Sequence, residues 1–258
     1  MKPPRLASSL AVIGFLVFFA VPFVALVQRA PWSDFGRHLV DDDASTALRL
    51  SLVVSVAATA LSLAFGAPMA WVLARSSLPA RSLVRSIALL PLVLPPVVGG
   101  VALLFAFGRR GLVGQYLDKW FGVSIAFTTW AAIIAATFVA MPFMVVTLEG
   151  ALRSVDTRYE EAAATLGAGR WTVLRRVTLP AVKPSLAAGA ALTWARALGE
   201  FGATITFAGN LRGETQTLPL AVYLELQRDP GVALTLSLVM VGVSIVVLVA
   251  VGRRVWSR

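Results

Sequence analysis

The 258-residue chain has no cysteine, which excludes disulfides and thiolate metal sites. It has one histidine, His38, beside the acidic run Asp41-Asp42-Asp43. A metal site there is the alternative to a solvated loop, and the solvated loop is the expectation. Only three lysines are present, Lys2, Lys119 and Lys183, and none follows a glycine. A G-x4-G-K-[ST] phosphate loop is therefore missing, and the chain is not expected to hydrolyse ATP itself. Charged residues make up just 14% of the chain. The apolar stretches hold no cluster of histidines or carboxylates, which speaks against a membrane enzyme. We expect no catalytic residue, no metal and no cofactor bound by this chain.

What remains is apolar. Hydrophobic residues account for 58% of the chain and the mean hydropathy is +0.81, outside the range of ordinary soluble domains. Long uncharged windows cover 6–27, 50–74, 86–108, 120–148 and 230–252. Each has at least the roughly 20 residues a helix needs to cross a bilayer. A sixth stretch, 184–211, is interrupted only by Arg196 and Glu200. The expectation is an all-α, polytopic membrane protein of six transmembrane helices forming one domain over 1–258. The first window is preceded by Lys2 and Arg5 in the manner of a signal peptide. Its length and Pro22 favour a retained helix.

Basic residues set the orientation. With the N-terminus inside, segments facing the cytoplasm hold 14 Lys and Arg and outer segments hold 7. This bias predicts that both termini and the segment 153–183 are cytoplasmic in a multi-pass plasma-membrane protein. The net charge of +10 then reflects topology. A nucleic-acid partner has no soluble basic domain to bind.

Two windows carry helix-disrupting features. PLVLPPVVGGVALLFAFG contains Pro91, Pro95, Pro96, Gly99 and Gly100. Proline removes a backbone donor and clashes with the preceding turn, so a kinked or locally unwound helix is expected. A packing kink and a break lining a cavity fit that run equally. Met141-Pro142 predicts a further kink in the fourth window. The stretch 184–211 contains TWARALGEFGATITFAGN, with Arg196 and Glu200 spaced to share one helix face and Thr193 and Thr204 above and below them. An arginine near mid-membrane costs about 2.5–3.5 kcal/mol on insertion scales, so it should face the bundle interior or water. The pair serves either as a structural or gating ion pair or as a substrate contact.

The most polar segment is DTRYEEAAATLGAGRWTVLRRVTLP, residues 156–180. Thr157 and Glu160 have capping-box spacing, and Tyr159, Ala162, Ala163 and Leu166 make a weakly apolar helix face. Gly167 stands at a C-cap position. A second short run follows, with Trp171, Leu174 and Val177 on one side, and Pro180 is expected to close it. An amphipathic interfacial linker would have the same composition. The order of residues is more specific. Glu161-Ala162-Ala163, Gly167, Val177 and Leu179-Pro180 resemble the EAA loop of ABC importer permeases, EAA-x3-G-x9-I-x-LP, with Val177 in place of the usual Ile.

The resemblance reaches over about residues 45–252. PLVLPPVVGGVALLFAFGRRG, the loop, and ARALGEFGATITFAGN followed by TQTLPLAVY together look like the molybdate permeases, close to the sulfate and tungstate permeases. It implies a type I importer permease fold with a cytoplasmic coupling-helix loop, and a homodimer working by alternating access in the lipid bilayer. It also implies two separate ATPase subunits carrying ATP and Mg, and an extracytoplasmic oxyanion-binding protein. Glu161, Ala162, Ala163, Gly167, Val177, Leu179 and Pro180 are then the ATPase-coupling residues. Pro95, Pro96, Gly99, Arg196, Glu200 and Thr204 are candidates for the translocation path or gate. An ATP-independent secondary transporter is the alternative of a different class.

Overall fold

The computed structural model describes residues 5–256, with side chains over 9–249. Lys2 and Arg258 lie outside the described residues, as do the side chains of Arg5, Arg253 and Arg254. Among the described residues the regular structure is helical. Helix α1 spans Arg5–Arg29 and α2 Phe35–Val40, and α3 runs Asp42–Leu61. A π turn at Ser62–Gly66 carries α3 into α4, Ala67–Arg75. Helices α5 (Arg81–Val93) and α6 (Pro96–Phe107) follow, then the short α7 (Gly114–Phe121) and the long α8 (Thr129–Ser154). Helices α9 (Arg158–Thr165) and α10 (Arg170–Val173) lead through a second π turn, Leu174–Thr178, into α11 (Leu179–Leu198). The chain ends with α12 (Gly202–Phe207), α13 (Leu218–Arg228) and α14 (Pro230–Trp256).

Four of these stretches are long and apolar enough to cross a membrane: Ser9–Arg29, Asp42–Arg75, Thr129–Ser154 and Pro230–Val249. Helices α5 and α6 qualify together, although they meet at a bend of 117°. The window 184–211, expected as a single span, is divided into α11 and α12. The window 120–148 likewise starts its helix only at Thr129. Gly122, at φ 65°, ends α7 in the left-handed conformation that glycine adopts without Cβ strain. Thr128 then caps α8 by accepting the Ala131 N–H. Pro142 lies inside α8, which continues through it.

Helix α8 is the centre of the bundle. Ala131, Ala132, Ala135, Ala136 and Ala140 are fully buried, and such small side chains let α3, α6, α11 and α12 approach closely. A second apolar cluster joins Leu73 of α4 to Val145, Leu148 and Leu152 of α8 and Val182 of α11. Helix α1 packs against the distant α14 and exposes apolar side chains from Leu10 to Val27, as a lipid-facing helix does.

Candidate functional site

The segment 156–180 folds as two short helices on one end of the bundle. Its first turn is capped differently from the capping box expected at Thr157 and Glu160. Thr157 has helical dihedrals and makes no side-chain cap, whereas Asp156 Oδ1 accepts the Arg158 N–H at 3.0 Å. Glu160 is drawn elsewhere, accepting from Arg75 Nη2 at 3.1 Å and Thr178 Oγ1 at 2.8 Å. The end of α9 is as expected. Gly167 has φ 85°, its N–H reaches the Ala164 carbonyl, and the Ala168 N–H reaches that of Ala163. This is the Schellman arrangement.

Pro180 does not close the second run. Its helix passes through the π turn into α11, and the Leu179 N–H reaches five residues back to the Leu174 carbonyl. The widened turn relieves the crowding a proline imposes on the preceding turn and absorbs its missing donor. The same device precedes Pro68, two residues beyond the first π turn. The expected coupling residues are thereby brought onto one short stretch of surface. Glu161, Ala162, Gly167, Leu179 and Pro180 are exposed, and Ala163 and Val177 half-buried. Exposed Tyr159, Leu166 and Trp171 add an apolar and aromatic surface, with the Arg175 guanidinium 5.8 Å from the Trp171 ring centre.

The second feature joins two breaks. A residue preceding proline is pushed out of the helical region, and Leu94 and Pro95 both precede one. Both are accordingly extended, at ψ 137° and 132°, and the helix restarts at Pro96. Helix α11 stops at Leu198. Arg196 and Glu200 therefore do not share one helix face, because Glu200 lies in the break. They meet nonetheless, with Arg196 Nη2 2.7 Å from Glu200 Oε2, although the angles do not meet those of a hydrogen bond. The other carboxylate oxygen accepts the Ala203 N–H at 2.8 Å, at the start of α12. Glu200 is buried to 2% exposure, Arg196 half-buried and Thr204 buried.

Helices α6 and α12 then press together through glycine. A Cβ on Gly100 would lie 2.7 Å from the Ala203 carbonyl oxygen and collide with Thr206, and one on Gly202 would lie 3.0 Å from Pro96 Cβ. Gly99 faces the Phe138 ring of α8, where a Cβ would meet it at 3.1 Å. Pro95 is exposed and Pro96 half-buried. Thr193, fully buried on α11, has no hydrogen-bond partner for its hydroxyl.

Sequence reasoning missed Glu149 of α8. This buried carboxylate pairs with Arg85 at 3.2 Å and with Arg153, fastening α5 to α8. Its only signal was its position abutting the apolar window 120–148. Gly202 was likewise visible only as the last residue of GEFG. At the opposite end of the bundle, a cavity of about 240 Å³ is lined by Asp43, Arg212, Glu225 and Arg228. Arg212 is paired with Asp43 and lies 3.5 Å from Glu225, so its charge is already compensated. His38 Nδ1 lies 3.2 Å from Thr235 Oγ1, and no group of three or more metal-type side chains occurs among the described residues.

A bundle with a broken apolar helix pair and an exposed two-helix loop has clear relatives. The profile of the family described as "Binding-protein-dependent transport system inner membrane component" matches residues 62–255. The chain belongs to this family. It is 50% identical to the molybdenum transport system permease protein ModB of Mycobacterium tuberculosis over 251 residues, 97% of this chain and 94% of that protein. It is 47% identical to ModB of Escherichia coli K12 over 193 residues, covering 75% and 84%. The fold matches the crystal structure of a bacterial ABC transporter involved in the import of the acidic polysaccharide alginate. There the TM-score is 0.72 at 22% identity, over 98% of this chain and 95% of that one. The protein is thus a multi-pass inner-membrane permease component of an ABC importer and not an enzyme.

Proposed function

We propose that this chain is the molybdate permease of an ABC importer, acting as a homodimer by alternating access. Two separate ATPase subunits, which bind ATP and Mg, dock on residues 156–180. An extracytoplasmic binding protein delivers the anion to the opposite face. The observation that carries the reading is the loop. It is fixed by its own Schellman turn and by Glu160, yet it leaves Glu161, Ala162, Leu166 and Trp171 exposed at the surface. A secondary transporter has no use for such a surface. The choice of molybdate is supported by the molybdenum permeases among the relatives. Both termini and the loop are cytoplasmic in this reading, as the distribution of basic residues favours.

Arg196 and Glu200, with Pro95, Pro96, Gly99 and Thr204 around the break, form the gate or line the path. A conduit must release its cargo. An arginine balanced by a buried glutamate holds an oxyanion only weakly. The test is uptake of radiolabelled molybdate into proteoliposomes holding this chain with an ATPase subunit and binding protein. Uptake should require ATP and be competed by molybdate far better than by sulfate. Equal competition by sulfate would reassign the cargo, and uptake without the ATPase would mark a secondary transporter. Topology is tested with Ser154→Cys and Glu214→Cys, both exposed positions in a cysteine-free chain. They should react with an impermeant thiol reagent from opposite sides.

A further inference from the structure

We propose that Glu160, which lies just outside the EAA triplet, is a positioning residue that ties the docking loop to the end of a membrane span and to the start of α11, and carries its movement into both. This rests on the reading of 156–180 as the ATPase-docking loop. The two adjacent glutamates of α9 point to different tasks. Glu161 is exposed and enters no ion pair among the described residues. Glu160 turns inward, where its Oε1 accepts from both Arg75 and Thr178.

The two donors stand at structurally decisive places. Arg75 is the last residue of α4, at the end of the 34-residue span Asp42–Arg75. Thr178 is fully buried and closes the π turn from which α11 rises. One carboxylate oxygen thus joins α9, the end of one span and the start of α11. Arg75–Glu160 is the only ion pair among the described residues between 156–180 and the rest of the chain. The Arg75 and Glu160 side chains retain 18% and 20% exposure, and Arg75 Nε is buried without an acceptor. A pair so far withdrawn from water resists separation far better than an exposed one, because parting it leaves a poorly solvated charge behind. A displacement imposed on α9 is therefore passed to α4 and α11 together.

The measurement is the number of ATP molecules hydrolysed per molybdate ion taken up, in proteoliposomes of the complete importer. Glu160→Gln and Arg75→Gln should each raise this ratio roughly tenfold, within the range of coupling between two sites. Co-purification of the ATPase should be unchanged, since the exposed face is untouched. The double variant should be no worse than either single one, as for two residues acting as a unit. Thr178→Val removes one donor without altering charge and should raise the ratio less, which keeps the test open if the charge variants express poorly. An unchanged ratio in all three single variants would overturn the proposal. Loss of the ATPase from Glu160→Gln would also overturn it, by making Glu160 a docking contact. Ala163→Asp separates the two readings. If it still binds the ATPase, the docking loop is misassigned and this inference falls with it. If it releases the ATPase while Glu160→Gln stays fully coupled, only this inference fails.

Discussion

The loop 156–180, proposed to dock the ATPase, and the broken-helix pair use the same residue types to opposite ends. Gly167 in the loop is needed for its dihedral, with φ 85° and open space where a Cβ would project. Gly100 in α6 has no positive φ and is needed for the space itself, since the Ala203 backbone lies against it. Pro180 sits in a helix that continues through a π turn, whereas Pro95 and Pro96 bend theirs by 117°. Glu160 and Glu200 each pair with an arginine and accept from a second donor, but Glu160 keeps 20% side-chain exposure and Glu200 only 2%. The loop is thus set by local chain geometry and one anchor, which frees its surface for a partner. The break is set by contacts between distant segments, which makes it intolerant of added volume or unpaired charge.

The largest effect should come from charge in the break. Arg196→Gln leaves the buried Glu200 without its counter-ion, at a cost of about 3–5 kcal/mol. Thermal melting in detergent should show a sharp loss of stability. Glu200→Gln should cost less, because a glutamine oxygen can still accept the Ala203 N–H. Combining the two should restore stability. Uptake that stays low in the stable double variant marks the pair as part of the path or gate, and full recovery of uptake makes it purely structural.

Gly100→Ala comes next. Its Cβ forces α6 and α12 apart, and overpacking of this kind costs roughly 1–3 kcal/mol, with uptake lost as the break opens. Gly167→Ala should cost about 1–2 kcal/mol through its left-handed backbone alone. Asparagine tolerates the left-handed region, so Gly167→Asn should cost less than Gly167→Ala, whereas the bulkier Gly100→Asn should cost more than Gly100→Ala; the reverse order at either site would break the contrast between the regions. The smallest effect lies in the cap of α9. Asp156→Ala should cost about 1 kcal/mol and Thr157→Ala almost nothing, the reverse of what the capping box implies. A larger effect at Thr157 would show that the cap was misread.

The loop was largely legible in the sequence because its determinants are local. Gly167 and the apolar face of α9 depend on neighbours a few residues away. What misled there was Glu160, whose capping-box spacing is outbid by Arg75, 85 residues distant. The long apolar windows at the two ends of the chain also translated directly into α1 and α14. The breaks were legible only in part. Two consecutive prolines announce the end of α5, and Gly199 is the C-cap of α11, but the Glu200 carboxylate that accepts the Ala203 N–H at the start of α12 had no local signal. The closeness of α6 and α12 was hidden for the same reason. Gly100 was visible only as part of the proline-containing run, and its function as a contact surface emerges only when Ala203 is brought against it.

The central claim is that residues 156–180 receive an ATPase, and cross-linking tests it most directly. In this cysteine-free chain, a photoreactive maleimide can be attached after Leu166→Cys in the exposed loop, or after Phe105→Cys on the exposed face of α6. The account predicts that light joins the probe at 166 to the ATPase subunit of the co-expressed importer, while the probe at 105 does not reach it. Cross-linking of the ATPase from 105 and none from 166 would contradict it.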